Sequence, residues 1–232
     1  LRSSFLPGRK PVEESLREYQ LGPPIQLQGG AVLEKNVPYL IPIMERLNLP
    51  KGIRAKANPK SSTGRLDIFT RIIVDKSPGF DEIPDGYNGP MYLELVSRSF
   101  TIQVSDGIAL SQIRVVHGNK EVPDVELSRI HVRTPLLYQY KSDDQSPSPL
   151  AKLDVSNGLF LTVDLSGNSQ NIIGYRAKKN SALLDLSKTG QYQANDFWSH
   201  VESDNKNRLI LEPEEFYVLV SLQGVAIPPD YA

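Results

Sequence analysis

The chain reads as an all-β protein, and three observations predict it. Short apolar runs alternate with polar residues at a period of two, the pattern of strands with one buried face. Pro (18) and Gly (16) punctuate those runs, and proline is poorly tolerated inside helices and central strands. Helical patterns are few and short. A β-sandwich or barrel with many turns follows.

Taken in order, Pro11 to Tyr19 is expected to form a short helix. Next comes Asn58-Pro59-Lys60-Ser61-Ser62-Thr63-Gly64-Arg65, which gathers two cations, three hydroxyls and a glycine. Pro59 holds Asn58 extended. Ser61 or Ser62 is expected to cap a short helix over Thr63 to Phe69, and hydroxyls and N–H groups at such a start suit phosphate. Lys60 and Arg65 add charge, and the arginine fork matches phosphate oxygens. An ordinary polar turn with a serine cap would carry the same composition.

Met91-Tyr92-Leu93-Glu94-Leu95-Val96 reads as a strand, with Tyr92, Glu94 and Val96 on one face. An acid in that company is expected to be partly buried, a setting that suits proton transfer near neutral pH. A charged residue on a solvated sheet face is the plainer alternative. Further strands are expected at Thr101 to Val104, Ser111 to Val116, Leu159 to Leu165 and Glu215 to Val220. Lys141 to Pro149 is polar and proline-rich, a linker or exposed loop. Asn195 is expected to cap a turn through His200.

Composition removes several function classes. The net charge is −1, with Lys+Arg 26 against Asp+Glu 27. No basic excess exists to drive binding to nucleic acid. With Cys 0, disulfides and thiolate zinc sites are excluded, and a reducing cytoplasm fits. The three histidines, His117, His131 and His200, are far apart and read as surface or structural. No apolar run is long enough to span a membrane. Neither a Walker A sequence nor a dinucleotide fingerprint occurs.

Residues Val32 to Ile41 align with Ile210 to Leu219 at a constant offset of 178, and Pro50 with Pro228 at the same offset. Such self-similarity suggests an internal duplication. The expected division is residues 1–145 for a first copy carrying the motifs and 146–232 for a partial second copy, structural or degenerate. The chain has no initiator Met, and Ala232 stands opposite Arg54, so both copies are expected to be incomplete.

These motifs resemble the dCTP deaminase and dUTPase superfamily, the deaminase branch above all, over roughly Leu33 to Gly118. Leu49-Pro50 is followed by Lys60-Ser61-Ser62-Thr63-Gly64-Arg65, similar to the family's Arg-Ser-Ser-x-x-Arg. Pro84-Asp85-Gly86-Tyr87-Asn88-Gly89, then Leu93-Glu94, then Gly107 and Leu110-Ser111-Gln112-Ile113 follow in the family's order. Lys60 departs from the pattern by replacing an arginine, and the segment ahead of Gly86 is longer than usual, ending its first part in Ile72-Ile73-Val74-Asp75.

The resemblance implies a distorted jelly roll in each copy and hydrolytic deamination of dCTP to dUTP and ammonia. It implies Glu94 as general base, Ser61 as a holder of the attacking water, and Arg65 as the group that fixes Glu94. It assigns Lys60, Ser61 and Ser62 to the triphosphate, and Asp75, Tyr87 and Gln112 to the remainder of the nucleotide site. Magnesium would accompany the triphosphate without activating the water, no zinc would be needed, and a homotrimer is implied. Two other readings stay open: a dUTP diphosphatase or bifunctional enzyme using Asp85 ahead of Tyr87, and a non-catalytic nucleotide-binding module.

Overall fold

The computed structural model describes residues 1–118, 121–141 and 144–231. In chain order, helix α1 (Val12–Tyr19) precedes strands β1 (Ala31–Leu33), β2 (Tyr39–Asn48) and β3 (Ile53–Pro59). The short helix α2 (Ser61–Gly64) leads into β4 (Ile68–Val74), β5 (Glu82–Ile83), β6 (Asn88–Ser97), β7 (Ile102–Val104) and β8 (Ser111–His117). Helix α3 (Asp124–Arg133), β9 (Leu137–Lys141), β10 (Asp144–Pro149), β11 (Ile172–Ala177) and β12 (Leu184–Asp185) come next. Helix α4 (Ala194–Phe197), β13 (Trp198–Glu202), β14 (Tyr217–Leu219) and β15 (Gln223–Val225) complete the order. The all-β expectation holds: short strands dominate and the helices are few.

Contacts divide the chain into two compact units: Leu1–Asn119 with Ala177–Trp198, and Lys120–Arg176 with Ser199–Ala232. These units divide the chain elsewhere than at 145/146. The reason is local: β12 pairs in parallel with β7, Leu184 opposite Ile102, which ties the later segment to the first sheet.

The first unit holds the sheets β1–β7–β12, β2–β6–β4 and β5–β3–β8. Strand β6 is central, with β2 on one side and β4 on the other. Its burial does not alternate. Both faces are covered, from Met91 through Leu95, because Phe5, Val12 and Ile73 pack on Tyr92. The segment carrying α1 thus roofs the face that also bears Glu94.

That roof is pinned by one carboxylate. Asp75 Oδ1 accepts a hydrogen bond from the backbone N–H of Val12 at 2.7 Å, satisfying a donor at the start of α1 that helix geometry leaves unpaired. Asp75→Ala is expected to lower unfolding stability by about 1–2 kcal/mol, while Asp75→Asn, which keeps an acceptor, stays near wild type; urea unfolding measures both.

In the second unit the sheets are β10–β9–β15 and β13–β11–β14, and Ile130, Leu136, Leu137 and Leu153 form the core. His131 is structural: Nδ1 accepts from Leu136 N at 3.0 Å, and Nε2 lies 2.8 Å from Leu150 O.

Several local expectations differ from the structure. The helix behind the anion turn stops at Gly64, since Asp67 takes a left-handed conformation (φ 56°) and β4 begins at Ile68. Neither Ser61 nor Ser62 caps it; Lys60 occupies the cap position, with its N–H still bonded to Leu110 O at 3.0 Å. Part of the presumed linker is strand: β10 pairs with β9, and its prolines are accommodated at a sheet edge. Residues 142–143 of that stretch lie outside the described residues.

Leu159 to Leu165 makes only isolated bridges, Val155 with Leu159 and Val163 with Ser221, because Asp164 turns its side chain onto Ser166 N at 2.9 Å. Helix α3 was not expected. Its signals are an acidic first turn, Asp124 and Glu126, and a basic last one, His131 and Arg133.

The 178-residue offset recurs as geometry. Asn36 (φ 60°) and Glu214 (φ 61°) both adopt the left-handed conformation. In each case a tyrosine hydroxyl accepts from a glutamate N–H five residues earlier, Tyr39 from Glu34 at 3.0 Å and Tyr217 from Glu212 at 3.3 Å.

Candidate active site

Glu94 sits in the middle of β6 with its side chain wholly removed from solvent. The register of β4 on β6 places Arg71 directly opposite. Arg71 Nε donates to Glu94 Oε1 at 3.0 Å, and Nη2 donates to the same oxygen. Nη2 also reaches Ser4 Oγ at 2.9 Å. The guanidinium lies over the Phe80 ring, 3.8 Å from its centroid, and 5.0 Å from that of Phe69. Both of the hydrogen bonds to the carboxylate fall on Oε1. The other oxygen, Oε2, is buried and has no hydrogen-bond partner among the described residues. A buried polar atom without a partner costs roughly 1–3 kcal/mol and is rare enough to call for an explanation.

The N-terminal ammonium of Leu1 donates to Pro38 O at 2.7 Å. Burial lowers its pKa, and the charge of Glu94 opposes that shift. Ser4 thus touches Arg71, and Leu1 lies near enough to Glu94 for their charges to interact.

The anion turn is a separate cluster. Ser61, Ser62 and Arg65 are exposed, whereas Thr63 is buried. Arg65 Nη2 donates to Ser61 Oγ at 3.0 Å. Gln112, on β8, stands opposite Asn58 in the β3–β8 register, so it borders the turn. The neighbouring Arg114 donates to Asn58 Oδ1 at 3.2 Å. Ser111 Oγ donates to Thr70 Oγ1 at 3.0 Å, which links β8 to the strand that carries Arg71.

Asp75 and Tyr87 form a third group. Tyr87 OH donates to Pro90 O at 2.6 Å and accepts from Asp75 N at 3.3 Å. Burial raises the Tyr87 pKa, with the Asp75 N–H bond acting against it. Nearby, Tyr92 is pushed up to about 12 by burial first and then by Glu13 and Asp75. Asp75 is engaged by α1, and Asp85 lies exposed in the turn before Tyr87.

The structure therefore brings Lys60, Ser61, Ser62, Arg65 and Gln112 to one neighbourhood, Asp75 and Tyr87 to another, and Glu94 to a third. No hydrogen bond or ion pair joins Glu94 to Lys60–Arg65 among the described residues. Arg65 serves Ser61, and the group that fixes Glu94 is Arg71. Sequence reasoning missed Arg71. The signal that could have found it is its place in Phe69-Thr70-Arg71-Ile72, a lone cation in an apolar strand beside a strand with a lone acid.

The comparisons with known proteins fit this arrangement. Residues 1–119 match the model of the 2′-deoxycytidine 5′-triphosphate deaminase N-terminal domain, and residues 123–232 that of its C-terminal domain. Among solved structures, the chain is 41% identical to a 2′-deoxycytidine 5′-triphosphate deaminase from Agrobacterium tumefaciens, with a TM-score of 0.88. That match covers 99% of this chain and 65% of the other, so the chain spans about two thirds of its relative's length. No curated protein matches. With its first half and its second half each matching a domain of one family, the chain belongs to the 2′-deoxycytidine 5′-triphosphate deaminase family.

Proposed function

We propose that this protein deaminates dCTP hydrolytically, giving dUTP and ammonia, with Glu94 as general base. The carrying observation is the asymmetry of the Glu94 carboxylate. Arg71 occupies Oε1, and Oε2 is left without a partner. In the reaction, Oε2 takes a proton from water as its oxygen bonds to C4 of cytosine. Oε2 hands that proton to N3, the new C4 hydroxyl passes its own proton to the amino group, and the C4–N bond breaks as ammonia leaves and the C4 carbonyl forms. General base catalysis of this kind contributes about 10²–10⁴-fold, and the remainder comes from holding water and base in place.

Ser61 and Arg65 are coupled by a hydrogen bond; in this proposal they hold the water and polarise the site. Lys60 and Ser62 bind the triphosphate, with Gln112 at the border of that cluster. The turn carries no carboxylate, so magnesium would be held by the phosphate oxygens of the nucleotide. Because no hydrogen bond or ion pair joins the anion turn to Glu94 among the described residues, the proposal includes the homotrimer, in which different subunits would supply the two. The repeated Asn36 and Glu214 turns support a degenerate second copy. The lack of Cys supports a cytoplasmic setting. No helix among the described residues is long and apolar enough to cross a membrane.

The test is a product assay. Incubation with dCTP and Mg²⁺ is expected to release ammonia without pyrophosphate, and Asp85→Asn is expected to leave that rate within about twofold, as for an exposed side chain remote from the chemistry. Pyrophosphate released from dUTP, and lost in Asp85→Asn, would support the diphosphatase instead.

A further inference from the structure

We propose that the turn Asp185–Gly190 is a second wall of the triphosphate site, with Lys188 and Thr189 binding the terminal phosphate opposite Lys60 and Ser62. This inference rests on the deaminase reading for the identity of the nucleotide. It concerns residues in the half of the chain that carries none of the sequence motifs.

A cavity of about 530 Å³ lies directly beside the anion turn, within the range of roughly 300–1,000 Å³ usual for small-molecule sites. Its lining brings Lys60, Ser62 and Thr63 of the anion turn together with Asp185, Lys188 and Thr189. Lys60 has no carboxylate partner among the described residues. Lys188 has one, Asp185 Oδ2 at 3.5 Å, while Asp185 Oδ1 is taken by Ser187 N at 3.0 Å and Ser187 Oγ at 2.7 Å. Two lysines and one carboxylate leave the cavity with a positive balance. A polyanion bridging the two cations would relieve their repulsion and gain charge-assisted hydrogen bonds. The hydroxyls of Ser62 and Thr189 add neutral donors to the same lining.

The second wall is held in place and is no loose tail. Leu184 N donates to Thr101 O at 3.1 Å and Leu186 N to Gln103 O at 3.0 Å, continuing the β7–β12 pairing. Asp185 N donates to Tyr192 OH at 2.9 Å. Further on, Phe197 is buried edge-on against Phe100, with ring centroids 5.8 Å apart. These anchors fix the backbone on either side of Lys188, while its exposed side chain keeps the freedom to reach a phosphate. Such a point charge on a flexible stem suits phosphate oxygens in varied geometry.

Trp198 lines the same cavity and is the chain's sole tryptophan, so its emission reports occupancy. Titration of the 232-residue chain with inorganic triphosphate is expected to change Trp198 emission saturably. Lys188→Ala should weaken that binding about tenfold, the effect of one hydrogen bond to a charged group. Lys188→Arg should retain most of it, and Lys206→Ala, at an exposed lysine outside the cavity, should change nothing. In turnover, Lys188→Ala should raise KM for dCTP with kcat unchanged, and the penalty should shrink from dCTP to dCMP.

A silent Trp198, or triphosphate affinity and KM unaltered in Lys188→Ala, overturns the assignment. A chain that binds triphosphate through Lys188 and yet releases no ammonia from dCTP upholds the cavity and sinks the deaminase reading instead.

Discussion

Glu94→Gln is expected to slow ammonia release from dCTP by about 10²–10⁴-fold, the usual contribution of a positioned general base, while dCTP affinity stays within about threefold. The amide matches the carboxylate in shape, and it still offers a carbonyl oxygen to Arg71 Nε and Nη2. What it lacks is a basic oxygen at the position of Oε2, the atom that has no hydrogen-bond partner among the described residues. The split between rate and affinity is the informative part. A residue that acted only by supporting β6 would disturb binding and stability together, whereas a proton acceptor lowers kcat alone. Rapid-quench ammonia measurement with equilibrium dCTP binding separates the two. Deamination that survives in Glu94→Gln would remove this residue from the chemistry.

Arg71→Met is expected to produce the largest loss of stability of any single change at the site, about 3–5 kcal/mol, the cost of leaving a buried charge without its partner. Two effects contribute, and their sizes decide which wins. The stacking of Arg71 on Phe80 and Phe69 is worth about 0.5–2 kcal/mol, and methionine retains part of that packing. The larger part is the Glu94 carboxylate, fully buried and then unpaired. Arg71 itself keeps 23% of its side chain exposed, which lets water enter and draws the loss towards the lower end. The pair is coupled, so Arg71→Met combined with Glu94→Gln should lose less than the sum of the single changes. Urea midpoints for the four proteins of that cycle give the coupling directly, and strict additivity would contradict the pairing.

The elements that carry the motif residues were legible in the sequence because they are short and locally determined. Pro59 ends a strand, Gly64 closes a single turn, and the alternation Leu93-Glu94-Leu95 marks β6; each depends on neighbours in the chain. The all-β class was legible for the same reason. Three things were not. The partner of Glu94 depends on the register of β4 against β6, which pairs residues twenty-three apart, and no local pattern sets that register. The burial of both β6 faces depends on Phe5 and Val12 folding back from the N-terminus, so a strand that alternates in sequence does not alternate in exposure. Finally, the tie of residues 177–198 to the first unit includes a parallel pairing of just two residues, Leu184 and Asp185, with β7, and the edge contact of Phe197 on Phe100. A pairing of that length leaves no periodic signal.

Glu94 is buried in the structure, and one of its carboxylate oxygens has no hydrogen-bond partner among the described residues. The most direct test of its role is therefore a crystal structure of Glu94→Gln with dCTP bound. The account predicts cytosine C4 and a water together at the side of residue 94 facing away from Arg71, with that water about 2.6–3.2 Å from the amide and in contact with Ser61 of the turn that completes the site. A bound dCTP whose base lies elsewhere, with residue 94 still buried away from it, would contradict it.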